Sequence, residues 1–188
     1  MKGIIIYKGK YGATEQYAKW LSDELELPMA SADKINGNQL KRFDFFILGT
    51  SVYIGKLQLS SWLKKNFAHL EGKKIFFYQV AATPPEQTQK RESYNRSGIP
   101  SQLALKFTCY FLAGKCIGRD LSWKDRFLLK MGARLAKDPA DKKNMLTDFD
   151  HVNKKNIAEL LSDIKIYLKK IDSSYPATAI YSPFAFLF

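Results

Sequence analysis

Five residues near the amino terminus, Gly3-Ile4-Ile5-Ile6-Tyr7, restrict the fold more than any other feature of the chain. A run that is apolar at nearly every position and β-branched at three cannot leave one face in water. It reads as an inner strand of a parallel sheet covered on both sides by helices. The next residues, Lys8-Gly9-Lys10-Tyr11-Gly12-Ala13-Thr14-Glu15, carry two glycines, after which Tyr17, Ala18, Leu21 and Leu25 recur at helical spacing as far as Pro28. The opening is therefore strand, glycine loop, helix. The same order returns twice. Phe45-Phe46-Ile47-Leu48-Gly49 is followed by the loop Thr50-Ser51-Val52-Tyr53-Ile54-Gly55, then by a helix over 60–69 with Trp62, Leu63 and Phe67 on one face. Lys74-Ile75-Phe76-Phe77-Tyr78-Gln79-Val80 opens into Ala81-Ala82-Thr83-Pro84-Pro85, whose prolines cannot continue a ladder.

The remaining elements are fainter. A strand over 29–32 and a short helix over 38–41 lie between the first two units. Residues 86–98 are polar, with Ser97-Gly98 and Pro100 as punctuation before a helix through Leu103, Phe107 and Phe111. Residues 115–119 are short enough to be the last strand, 121–136 form a basic amphipathic stretch, and a final helix runs over 150–171. Alternating strands and helices imply parallel strands joined by right-handed crossovers. The expected fold class is α/β, a three-layer sandwich around a central five-stranded parallel sheet. One domain is expected over 1–172, with an apolar tail over 173–188 ending Pro183-Phe184-Ala185-Phe186-Leu187-Phe188.

At 188 residues the chain is long enough for one good core and short for two. No run approaches the ~18–20 apolar residues of a spanning helix, and the first apolar stretch is too brief for a secretion signal, so the cytoplasm is the expected compartment. Cys109 and Cys116 have no metal-ligand spacing and read as small buried hydrophobes. His69 and His151 are placed on helices away from the loops, leaving no acid–base pair to nominate. Catalytic residues stay unassigned and no metal site is expected.

In an open parallel sheet, ligands bind beyond the carboxyl ends of the strands, where strand order reverses. The loop from Lys8 to Thr14 leads into a helix amino terminus, whose free N–H groups and dipole favour a phosphate. Gly9 and Gly12 allow close approach, Thr14 offers a hydroxyl or a cap, and Lys8 and Lys10 add charge. It is neither a Walker loop nor the G-x-G-x-x-G dinucleotide fingerprint. Tyr53, among small residues, and the loop Val80-Ala81-Ala82-Thr83 complete a slot for a flat ring.

These loops, together with Trp123-Lys124-Asp125-Arg126-Phe127 and Thr147-Asp148-Phe149, resemble the flavodoxin-domain family, and within it the menaquinone-dependent protoporphyrinogen IX dehydrogenase branch. The resemblance runs from about residue 3 to 171. It implies a flavodoxin-like fold and flavin mononucleotide (FMN) as cofactor. Lys8, Gly9, Lys10, Tyr11, Gly12, Ala13 and Thr14 would then hold the phosphate, and Thr50 to Gly55 and Val80 to Thr83 would flank the isoalloxazine ring. Flavodoxin phosphate loops usually begin with Ser or Thr. Here Lys8-Gly9 stands in that place, leaving Thr14 as the hydroxyl within the motif.

The net charge of +12 also departs from the acidic character of plain flavodoxins. The excess is concentrated in residues 86–145, with 13 Lys and Arg against 6 Asp and Glu, while 146–188 balances. Lys124, Arg126, Lys130 and Arg134 alternate with Trp123, Phe127, Leu128, Met131 and Leu135, giving a helix one cationic and one apolar face. Such a helix either lies on an anionic membrane surface at the inner face of the membrane, closes over an acidic tetrapyrrole, or packs its apolar side on the sheet. No zinc-finger, helix-turn-helix or RNP-type pattern supports nucleic acid as a partner. The resemblance leaves three functions open: an FMN-dependent oxidoreductase oxidising protoporphyrinogen IX with a quinone, a non-enzymatic electron carrier serving a redox protein, and an interaction module that has lost FMN. Oligomeric state is left open.

Overall fold

The structure is a computed structural model that describes residues 1–84, 86–104, 108–136 and 139–174. Five parallel strands lie in the order β2-β1-β3-β5-β6: β1 (Gly3–Lys8), β2 (Met29–Ser31), β3 (Phe45–Tyr53), β5 (Lys74–Ala81) and β6 (Cys109–Ala113). The short strand β4 (Lys56–Leu57) pairs antiparallel with β3. The register sets Ile5 beside Ile47 and Ile47 beside Phe76, so the three apolar runs stack side by side at the centre.

Alternation along these strands feeds two cores. Ile4, Ile6, Phe46, Leu48, Ile75 and Phe77 face one side, where Leu40 of α2 (Gly37–Leu40) and Trp62, Leu63 and Leu70 of α3 (Ser60–Leu70) cover them. Ile5, Phe45, Ile47, Phe76 and Tyr78 face the other. There they meet Tyr17, Ala18 and Leu21 of α1 (Ala13–Leu25) and Leu160 and Ile164 of α8 (Ala158–Ser174). β1, β3 and β5 bury side chains on both faces, which is why their runs show no polar alternation. Gly49 belongs to this packing, since a Cβ there would lie 2.1 Å from the Tyr78 ring.

The three-layer sandwich is the expected one, but several elements differ. The fifth parallel strand is Cys109–Ala113, so Phe111 sits in a strand rather than a helix. The helix there is only α5 (Ser101–Ala104), and Phe107 lies outside the described residues. Leu103 and Phe111 are eight apart, a spacing that helical and extended chains share when the run is short. Lys115–Cys116 forms β7, which leaves the main sheet and pairs antiparallel with β8 (Phe149–Asp150). The polar stretch after β5 is a helix, α4 (Thr88–Gly98), whose buried residues are Arg91 and Gly98, so it shows no apolar stripe. Between β7 and β8 an insertion carries α6 (Trp123–Leu135) and α7 (Pro139–Leu146). The apolar tail from residue 175 onward lies outside the described residues.

Candidate functional site

The carboxyl ends of β1, β3, β5 and β6 meet at one edge of the sheet. Gly12, in the left-handed region at φ 80°, turns the chain from β1 into α1, which begins without a side-chain cap. That leaves the first-turn N–H groups of a 13-residue helix with no intrahelical partner. Thr14, in that turn, is 1% exposed, and its Oγ1 has no hydrogen-bond partner among the described residues. An orphaned buried hydroxyl is uncommon and costs roughly 1–3 kcal/mol. Gly9 makes room beside it: a Cβ there would fall 2.6 Å from Thr14 Oγ1. The glycines, free amides and orphaned hydroxyl fit a phosphate, the part of FMN assigned to this loop.

The three loops converge on one cavity. Lys10, Tyr11, Ala13 and Thr14 from the first, Ser51, Val52 and Tyr53 from the second, and Val80, Ala81 and Ala82 from the third all line it, with Gly114 and Lys115 from the β6–β7 link. Its volume is about 80 Å³, well under the ~300–1,000 Å³ of pockets that take a whole small molecule. Ala81, Ala82 and Gly114 also border a neighbouring cavity of about 270 Å³, walled by Thr83, Pro84, Arg91, Phe149 and His151.

Other expected residues point elsewhere. Lys8 turns to Asp33 at 2.7 Å and lines a separate cleft of about 620 Å³ with Asn36, Trp62 and Lys65. Gly12 lines a third cleft, on the outer side of α1. Residues 50–55 are not a loop: β3 continues through Tyr53, and the left-handed pair Ile54 (φ 47°) and Gly55 (φ 70°) makes the tight turn into β4. Thr50 is fully buried, its Oγ1 accepting from the Leu59 amide at 3.1 Å. Thr50, Ile54 and Gly55 thus shape the hairpin that presents Tyr53. Thr83 is fixed through its carbonyl, which accepts from Arg91 Nε at 3.0 Å and Nη2 at 2.6 Å. Arg91 is 3% exposed, and burial lowers its pKa.

One placement corrects the sequence reading, and a second decides among alternatives it left open. His151 is not helical; it follows β8, stacks on Phe149 at 5.2 Å and borders the cavity beside Ala81 and Thr83. The apolar side of α6 does not pack on the sheet. Trp123, Phe127, Leu128, Met131 and Leu135 are exposed, alongside Lys124, Arg126, Lys130 and Arg134, while the inward stripe carries Asp125 and Ala133. Asp125 has no local signal as a site residue, yet its carboxylate accepts from Lys10 Nζ at 2.6 Å, from Tyr53 Oη at 2.5 Å and from the Tyr11 hydroxyl. The bond from Lys10 to Asp125, and then the one to the Tyr53 hydroxyl, raise the Lys10 pKa. Burial pushes the Cys109 thiol up to about 12, although both Cys109 and Cys116 are half-buried rather than fully buried as expected, and Cys109 Sγ accepts from Asn95 Nδ2 at 3.0 Å.

Among the described residues no helix is long and apolar enough to cross a membrane. The model of a family described as Flavodoxin domain matches residues 4–143. The protoporphyrinogen IX dehydrogenase [quinone] of Escherichia coli K12 is 25% identical over 164 residues, spanning 81% of this chain and 91% of that one. Among solved structures, a flavodoxin from the domain Archaea superposes with a TM-score of 0.45 at 17% identity, covering 64% of this chain and 88% of its own. An FMN-dependent NADH-azoreductase from Bacillus anthracis gives 0.45 at 7% identity, over 87% and 99%.

Proposed function

The chain belongs to the flavodoxin domain family, and from that premise we propose that it is an FMN-binding oxidoreductase that takes reducing equivalents from protoporphyrinogen IX and delivers them to a quinone. The observation that carries the cofactor assignment is the buried, unpartnered Thr14 hydroxyl at the uncapped start of α1, in a cradle that Gly9 keeps open. FMN, when bound, supplies the hydride and electron chemistry, leaving the protein to bind, orient and shield it.

The residues divide that work. Thr14 Oγ1 and the first-turn amides of α1 hold the phosphate, with Lys10 adding positive charge. Tyr53 and the Ala81–Thr83 segment flank the ring, and Arg91 keeps the second of these in place by clamping the Thr83 carbonyl. Gly114 closes the floor: its N–H donates to the Ala81 carbonyl at 2.9 Å, and a Cβ there would collide with that same oxygen. Helix α6 reaches the cavity-lining Lys10, Tyr11 and Tyr53 through Asp125. Its outer side offers five large apolar side chains flanked by four cations, a surface suited to an anionic membrane or an acidic tetrapyrrole. The donor and acceptor follow from the similarity to the E. coli enzyme over most of both chains.

The test is direct. Purified protein is expected to be yellow, to release FMN on denaturation, and to oxidise protoporphyrinogen IX anaerobically with a menaquinone analogue above the spontaneous rate. FMN binding without that turnover would replace the enzyme by an electron carrier. Failure to take up FMN at tens of micromolar would remove the cofactor assignment.

A further inference from the structure

Helix α6 carries one acidic residue among its 13, and that residue points inward. Asp125 is 8% exposed. It lies in the first turn, where its amide donates to the Oγ of the capping Ser122 at 3.2 Å, so the helix start is rigid where the carboxylate leaves it. One carboxylate oxygen accepts from Lys10 Nζ at 2.6 Å and from the Tyr11 hydroxyl; the other accepts from Tyr53 Oη at 2.5 Å. Lys10 Nζ also donates to Tyr53 Oη at 3.0 Å and lies 4.3 Å from the centroid of the Tyr53 ring. A single group from the insertion thus joins the loop after β1 to the hairpin after β3, across separations of 115 and 72 residues.

Three physical consequences follow. A buried carboxylate is tolerable only when its lone pairs are filled, and here a cation and two hydroxyls fill them. Charge-assisted hydrogen bonds of this kind are stronger than neutral ones, so the cluster outweighs the thin apolar contact α6 makes elsewhere, most of whose large side chains are exposed. Finally, the same bonds fix the direction of the Tyr53 ring and seat Lys10 at its hydroxyl end, and both side chains line the cavity of about 80 Å³. Lys10, Tyr11 and Tyr53 all line that cavity, and at this volume a three-ring flavin fits only if its lining moves.

We propose that Asp125 is a positioning residue that latches α6 onto Lys10, Tyr11 and Tyr53, setting the orientation of Tyr53 and gating the entry of FMN. The flavin part rests on the FMN reading above; the latch itself does not. Opening requires the Asp125 bonds to Lys10 and Tyr53 to break together, because each holds the partner that braces the other.

Two variants test it. Asp125→Asn keeps the shape and removes the charge; Tyr53→Phe keeps the ring and removes two bonds, the one it donates to Asp125 and the one it accepts from Lys10, while leaving the Lys10–Asp125 pair in place. In flavin-free protein, trypsin cleavage after Lys124, Arg126, Lys130 and Arg134, followed by mass spectrometry, reads how often α6 lifts, since cutting tracks the open population when closing is fast. Cleavage at these four sites is expected to rise about tenfold in Asp125→Asn, the loss of roughly one charge-assisted hydrogen bond, and to rise less in Tyr53→Phe. Cleavage at sites in α8 should be unchanged. The double variant should differ little from Asp125→Asn alone, because both act through one cluster. Stopped-flow quenching of FMN fluorescence should show faster association in the same rank order. Unchanged cleavage in both variants would overturn the latch, and raised cleavage with an unchanged association rate would overturn the gating of FMN. If the wild type takes up no FMN yet Asp125→Asn opens α6, the latch stands and the cofactor reading alone falls.

Discussion

Thr14→Val changes one atom's chemistry and almost none of the volume, and it is expected to move stability and affinity in opposite directions. The Thr14 hydroxyl is buried at 1% exposure without a partner among the described residues. Replacing it with a methyl removes the cost of an unsatisfied buried donor and acceptor, ~1–3 kcal/mol, less whatever the added methyl loses by contact with Gly9. A gain of about 1 kcal/mol corresponds to a rise in Tm of ~2–4 °C for a domain of this size. With FMN the sign reverses. The phosphate loses a charge-assisted hydrogen bond worth ~1.5–3 kcal/mol, which raises Kd by about 10- to 100-fold. Riboflavin has no phosphate, and its Kd should stay within about twofold. The assay is paired: thermal unfolding of the flavin-free protein, then fluorescence titration with FMN and with riboflavin. A lower Tm together with equal weakening of both ligands would refute the reasoning, because Thr14 would then be a packing residue and the phosphate would sit elsewhere.

Two other outcomes follow from the structure. Changing Lys124, Arg126, Lys130 and Arg134 together to Gln should abolish sedimentation with anionic phospholipid vesicles at low salt; each cation near such a surface contributes ~1 kcal/mol, so association falls by a factor of hundreds. Wild-type binding should fade as ionic strength shortens the screening length toward about 8 Å, and neutral vesicles should not bind either protein. In alkali, stability should fall as pH rises from about 9 toward 12, because burial holds the Cys109 thiol protonated up to about 12 in the folded state against 9.0 for the ordinary group. The folded state binds the extra proton throughout that window, so the stabilisation is complete below pH 9 and is lost through the folded value. Urea midpoints of Cys109→Ala should decline less steeply over the same range.

The β1, β3 and β5 strands, the glycine loop and the amphipathic face of α1 were legible because each is written within a few consecutive residues. A strand buried on both faces needs an unbroken apolar run, and a helix on a sheet needs one stripe at 3.6-residue spacing. Thr14 was legible for the same reason, since a helix start and its hydroxyl are neighbours. The β6 strand was misplaced because 103–111 is apolar at a spacing that suits either state until a partner strand selects one. In the fold, β5 supplies that partner and pairs Tyr78 with Tyr110. The α4 helix was hidden because what it buries is polar: Arg91 against Thr83, with Asn95 accepting from Gln79 at 2.8 Å.

By itself, then, the sequence determined an α/β sandwich, the sheet end to which its glycine loop leads, and the buried hydroxyl at the start of α1 where a phosphate is proposed to bind, because periodicity and turn chemistry act over short stretches of chain. Only the tertiary structure decided which side of α6 faces inward. It alone brought Asp125 to Lys10, Tyr11 and Tyr53, set His151 beside the cavity that Ala81 and Thr83 line, and turned Lys8 away toward Asp33. Those contacts join residues that lie from 25 to 115 positions apart. Their energy is gained only after the sheet has placed both partners, so no local pattern in the chain records them.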